Sequence, residues 1–143
     1  MRIEQADEQD FAELSEWRYE IPYDFYDGDV DPVLNAERYF VARDEDDELI
    51  GFYYFERRGD ELEYGLGLRP GLVGRGHGLE FVRVGLEFGR SLYAPHRVVL
   101  NVAAFNVRAI KVYERAGFHE TGRHVRSFDR FGDVEFITME ERV

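Results

Sequence analysis

The chain has no cysteine, and that absence removes disulfides, thiolate nucleophiles and cysteine-based zinc sites together. Its four histidines, at 77, 96, 119 and 124, lack HxxxH-type spacing, so no metal is expected. Lysine is reduced to Lys111, and Arg supplies every other base. No run approaches the roughly 20 apolar residues of a membrane span. The opening MRIEQADEQD is charged and carries no apolar targeting segment, so a cytoplasmic protein with no membrane partner is expected. A net charge of −12 also argues against a nucleic-acid partner, because phosphate repulsion would have to be overcome by a local basic face.

Acids are missing in two windows, Tyr64 to Leu79 and Phe88 to Tyr113, although the chain holds 30 of them. Burial would explain a loss of charge of either sign. It does not explain why Arg69, Arg75, Arg90, Arg97, Arg108 and Lys111 remain there.

What is present fits a globular protein: 143 residues, 44% hydrophobic and 15% aromatic, in short patterned runs, read as one domain over 1–143. MRIEQA is a strand candidate, and Asp7 caps a helix through Trp17 with apolar residues at 11, 14 and 17. YEIPYDFYDGDVDP, with Pro22 and Pro32, reads as a loop or broken helix. RYFVAR and LIGFYYFER flank the acidic turn DEDDE as a hairpin, and LEYGLGLRP follows as a third strand, its glycines at 65 and 67 suggesting a bulge. A helix begins at Gly78, with Leu79, Val82 and Leu86 on one stripe and Phe81, Val84 and Phe88 beside it. HRVVLNVAAF is the next strand, Asn106 an N-cap for VRAIKVYERA, and Gly117 its stop. FHETGRHVRSF and VEFITMEER close the chain around DRFGD. This order predicts an α/β sandwich with a mixed sheet.

Six of the fourteen glycines lie between Gly65 and Gly78. Gly71, Gly74, Gly76 and Gly78 join a strand to a helix, where backbone N–H groups can turn inward and, with the helix dipole, hold an anion; Arg75 and His77 add charge outside. A tight connection is the competing reading. A Walker loop would need GK[ST] at the helix start, and a dinucleotide fold an acid on the following strand; both are absent.

The run LGLRPGLVGRGHGLEF, followed about thirty residues later by NVRAIKVYERAGF, resembles the GNAT superfamily of N-acetyltransferases, which use acetyl-CoA. That family's [RQ]-x-x-G-x-[GA] falls on VGRGHG from Val73 to Gly78, with Val73 at the usual Arg/Gln position. Its N-x-x-A-x-x-x-Y-x-x-x-G-F falls on Asn106, Ala109, Tyr113, Gly117 and Phe118. The likeness covers the chain from about residue 39 onward and is thinner before it. It implies a mixed sheet of about six to seven strands flanked by about four helices. It also implies cofactor contacts at Leu66, Gly67 and Leu68 for the pantetheine arm, at Gly74, Arg75, Gly76, His77, Gly78 and Leu79 for the diphosphate, and at Asn106.

Acetyl transfer then needs an oxyanion donor, which the Leu68 N–H can supply if a bulge near Gly65 to Gly67 turns it out of the ladder, and an acid for the departing thiolate, which the resemblance places at Tyr113. A core tyrosine is the other reading of that position. Asn101 stands where some relatives carry a basic Glu and cannot take a proton. Glu63, with Glu61 next, is the remaining candidate, and both can equally be solvated carboxylates. The acceptor surface is expected from the N-terminal region and the last hairpin. Trp17, Tyr19, Tyr23, Phe25 and Tyr26 alternate there with Glu16, Glu20, Asp24 and Asp27, suited to a small cationic amine or else simply covering the sheet. Oligomeric state is open, a homodimer included. A non-catalytic acyl-CoA sensor is the alternative to an enzyme, and an unrelated nucleotide-binding domain stands behind both.

Overall fold

The computed structural model describes residues 1–31 and 35–142; Pro32 and Val143 lie outside the described residues. In order come β1 (Arg2–Gln5), α1 (Glu8–Ser15), β2 (Tyr39–Arg43), β3 (Leu49–Arg58), β4 (Glu61–Leu68), α2 (Gly78–Tyr93), β5 (Arg97–Ala103), α3 (Val107–Arg115), β6 (His119–Phe128) and β7 (Gly132–Arg142). The seven strands follow the order β1-β2-β3-β4-β5-β7-β6. The sheet is mixed, since β4 and β5 run parallel while β5, β7 and β6 alternate. Three α-helices, rather than about four, are found among the described residues. Among the described residues between α1 and β2, Tyr23–Tyr26 and Ala36–Arg38 form 3₁₀ turns, the first bounded by Pro22 and the left-handed Gly28 (φ 57°).

The chain divides into two compact units, Met1–Tyr54 with Leu66–Arg75, and Phe55–Gly65 with Gly76–Val143, so the division falls inside β3 and β4. In the first unit α1 starts at a full capping box: Asp7 Oδ1 accepts from the Asp10 N–H at 2.9 Å, and Asp10 Oδ2 from the Asp7 N–H at 3.0 Å. Asp10 is buried and pairs with Arg43. Phe11, Leu14 and Trp17, the expected stripe, pack with Tyr39, Val41 and Leu49. In the hairpin turn Asp44 Oδ1 accepts from the N–H groups of Asp46 and Glu48, which ties off the acidic segment.

In the second unit α2 buries Phe81, Val82, Gly85, Leu86 and Gly89, while Leu79, Val84 and Phe88 are only partly covered. The Tyr64 hydroxyl donates to the Val82 carbonyl at 2.8 Å, and Tyr64 stacks on Phe55 with centroids 5.4 Å apart. Because side chains alternate along a strand, Leu62 and Tyr64 face α2 and Glu63 faces away. Ladder partners share a face, so Val98, Leu100, Val102, Ile137 and Met139 lie on the α2 side. Asn101 and Thr138 lie with Glu63 on the other.

Candidate functional site

The parallel ladder between β4 and β5 runs from Glu61↔Arg97 through Glu63↔Val99, while β4 continues to Leu68 and β5 to Ala103. Beyond Glu63, β4 carries Gly65, Leu66, Gly67 and Leu68. A Cβ on Gly67 would lie 2.4 Å from the Phe52 ring, so the chain passes that ring only as glycine. The Leu68 carbonyl accepts from the Tyr19 hydroxyl at 2.6 Å, and the Arg69 N–H donates to the Ile50 carbonyl at 2.8 Å. Burial, reinforced by Asp27 and Asp29, pushes the Tyr19 phenol well above its ordinary range, so it is held as a donor.

Gly74 (φ 74°) and Arg75 close the first unit; Gly76 (φ 83°) and His77 open the approach to α2, and all four are exposed. Gly76 has open space where a Cβ would sit, so its backbone angle rather than crowding calls for glycine. His77 is the N-cap of α2, has helical backbone angles and makes no side-chain capping bond. The first-turn amides of α2 are therefore left without an acceptor from the cap residue. A diphosphate fits this donor set: an exposed glycine turn, cap-free amides at the positive end of a sixteen-residue helix, and no acid between Tyr64 and Leu79.

Asn106 starts α3 differently, with its Oδ1 accepting from the Ala109 N–H at 3.2 Å. The helix ends in a Schellman arrangement: Gly117, φ 106°, donates to the Glu114 carbonyl at 3.1 Å, and the Phe118 N–H to the Tyr113 carbonyl at 3.0 Å. The accompanying apolar contact is Phe118 against Tyr113, edge-on with centroids 6.2 Å apart. The spacing from Tyr113 to Gly117 and Phe118 thus has a physical meaning of its own, because the helix stop holds the tyrosine ring.

Glu63 is 23% exposed and has partners. Its Oε1 accepts from Asn101 Nδ2 at 3.4 Å, and its Oε2 lies 3.5 Å from an Arg58 nitrogen. Asn101 Oδ1 in turn accepts from the Thr138 hydroxyl at 2.8 Å. Glu61 pairs instead with Arg97, at 3.3 Å.

The structure thus joins Glu63 to Asn101 and Thr138, and Tyr113 to Phe118 on a separate element. Thr138 and Arg58 escaped the sequence reading. Thr138 could have been found only from the β5–β7 register, which no local pattern encodes. Of the aromatic residues after α1, Trp17 is buried in the first unit's core, where it covers the sheet, while Tyr19 is spent on Leu68. A pocket of about 330 Å³ opens between α3 and the β6–β7 pair over Ile137 and Met139, and neither Glu63 nor Tyr113 lines it. No helix among the described residues is long and apolar enough to cross a membrane.

Known proteins resemble this chain in sequence and in fold. The spermidine N(1)-acetyltransferase of Vibrio cholerae is 29% identical over 137 residues, 85% of this chain and 76% of that protein. The mycothiol acetyltransferase of Corynebacterium efficiens is 41% identical over 81 residues, 55% of this chain but only 27% of that much longer relative. In three dimensions, the Vibrio cholerae spermidine N-acetyltransferase in complex with CoA and spermine superposes with a TM-score of 0.74 over 99% of this chain and 94% of that one, at 21% identity, which shows a common fold. A sequence profile of the acetyltransferase (GNAT) family matches residues 3–118, and the chain belongs to that family of acyl-transferring enzymes.

Proposed function

We propose that this chain moves the acetyl group of acetyl-CoA to a primary amine of a small molecule by direct attack in a ternary complex, as a single cytoplasmic domain over residues 1–143. The observation that carries this reading is the open start of α2, where a glycine turn and amides unclaimed by their cap residue suit a diphosphate. Acetyl-CoA supplies an activated acyl carbonyl and a thiolate leaving group. The amides of Gly76, His77, Gly78 and Leu79, with Gly74 and Arg75 before them, hold the diphosphate, and Asn106 supports the cofactor at the start of α3. Leu66, Gly67 and Leu68 receive the pantetheine arm, and the Leu68 N–H stabilises the oxyanion.

Glu63 takes one proton from the substrate ammonium, freeing the nitrogen lone pair that forms the new C–N bond as the C–S bond breaks. The Tyr113 hydroxyl gives its proton to the departing sulfur and is reprotonated as the new amide nitrogen loses its second proton. One proton reaches solvent through Glu63. An amine acceptor agrees with relatives named for spermidine and mycothiol, and with a chain at −12 that attracts a cationic substrate.

A panel of polyamines, amino sugars and peptides, each supplied with acetyl-CoA while free thiol is followed, tests the proposal. Turnover of a small amine is expected. Activity confined to peptides overturns the small-molecule reading, and CoA binding without turnover on any member makes the domain a sensor. If ATP or NAD raises the melting temperature more than CoA does, the cofactor reading falls.

A further inference from the structure

Asn101 and Thr138 have no part in the transfer chemistry above. They are directly opposed across the β5–β7 ladder, so both side chains stand on the face that carries Glu63. The Thr138 hydroxyl has one proton, and it is given to Asn101 Oδ1 at 2.8 Å. That bond settles which end of the amide points where: Nδ2 is turned toward β4 and donates to Glu63 Oε1 at 3.4 Å. Arg58 approaches the other carboxylate oxygen at 3.5 Å. A solvated strand-edge carboxylate would sample several rotamers, whereas this one is addressed from two sides and is 23% exposed.

We propose that Thr138 and Asn101 are positioning residues, forming a hydrogen-bonded chain across three strands that holds the Glu63 carboxylate in the orientation from which it accepts the substrate proton. The inference rests on the reading of Glu63 as the base. Asn101 relays no proton. It fixes the group that takes one, so an amide at this position serves where a second carboxylate would repel.

The test uses Thr138→Val, which removes the hydroxyl at nearly equal volume, Thr138→Ser, which restores it, and Glu63→Gln, each in the full chain. The link is long, so Thr138→Val is expected to lower kcat about five- to tenfold with KM for acetyl-CoA unchanged, since the loss is confined to the transition state. Thr138→Ser recovers most of that loss, and Thr138→Val adds nothing in a Glu63→Gln background. A readout independent of turnover is water exchange of the Asn101 side-chain amide protons by NMR in the free protein, expected to be slow in the wild type and in Thr138→Ser and faster in Thr138→Val. Equal exchange in all three overturns the positioning chain and leaves the acetyltransfer reading intact. An unchanged kcat in Glu63→Gln overturns the proposal through its catalytic premise, whatever the exchange rates. A parallel rise in KM for acetyl-CoA, or failure of serine to rescue, reduces Thr138 to a structural residue and overturns it as well.

Discussion

Two helices of the second unit begin just after a strand or turn, and they treat their first-turn amides in opposite ways. α3 closes its start with its own Asn106, while α2 begins at His77, whose side chain makes no capping bond, behind a glycine of φ 83°. A side-chain cap is worth about 1 kcal/mol to a helix. α2 forgoes that stabilisation, and its long buried stripe explains how it can. Open donors at a helix start are what an anion requires, and a cap residue that filled them would compete with the ligand. The closed helix is tied at both ends, capped by Asn106 and stopped by Gly117 and Phe118, with Phe118 against the ring of Tyr113, the proposed proton donor.

The largest effect should come from the closed helix. Tyr113→Phe keeps the ring contact with Phe118 and removes only the hydroxyl. The turnover number should fall by about tenfold or more, the scale of a lost proton donor. Steady-state kinetics on the amine found in the panel would measure it. An unchanged kcat would take Tyr113 out of the chemistry and leave α3 as packing alone.

The open helix can be closed on purpose. His77→Asp places a carboxylate at the positive end of α2, beside the amides that the histidine leaves alone, and should stabilise the fold by about 0.3–1 kcal/mol through the helix dipole. The same carboxylate repels a diphosphate and occupies its donors, so the Kd for CoA should rise about tenfold, a change of about 1.4 kcal/mol. Stability and affinity are thus expected to move in opposite directions, read by thermal melting and by calorimetry on the same preparation. If both improve, the amides of α2 do not hold the diphosphate and the contrast between the two helices breaks.

The mirror experiment is Asn106→Ala. Loss of its cap should cost about 1 kcal/mol and lower Tm by about 2–4 °C for a chain of this size. Its effect on CoA affinity should be smaller than that of His77→Asp, because Asn106 Oδ1 is already committed to the Ala109 N–H. An equal loss of affinity would mean that the Asn106 amide is itself a principal cofactor contact.

This contrast also explains what could be read before the fold was known. The start of α2 at Gly78, the Asn106 cap, the Gly117 stop and the capping residue Asp7 are local devices, written in a few consecutive residues, and each stands where the sequence places it. The hairpins were legible for the same reason, since DEDDE and DRFGD interrupt β-rich runs. Alignments made by register were hidden. Asn101 looked like a missing base because its strand shows only that an amide cannot take a proton. That it faces Glu63, with Thr138 behind it, depends on a parallel pairing and an antiparallel pairing between segments 38 and 37 residues apart. Trp17 was ambiguous for a related reason. An aromatic side chain beside acids can bind a cation or fill a core, and only its packing against Tyr39 and Leu49 decides.

The two backbone groups of Leu68, in the first unit, have different roles: the carbonyl is taken by Tyr19, while the N–H is the proposed oxyanion donor. Burial raises the Tyr19 phenol pKa, and an unfolded tyrosine ionises near pH 10. The folded state therefore favours the neutral phenol: this contribution to stability is complete below about pH 10 and declines above it, by up to about 1.4 kcal/mol per pH unit for one group. Tyr39 and Tyr93 are raised in the same direction by burial, so the wild-type alkaline limb is a composite. Urea unfolding between pH 9 and 11 should give Tyr19→Phe a visibly shallower decline than the wild type, at some cost in stability at pH 7 from the orphaned Leu68 carbonyl. If the two curves stay parallel, Tyr19 is hydrated, its hydroxyl does not tie down the end of β4, and the Leu68 carbonyl is left open to a ligand.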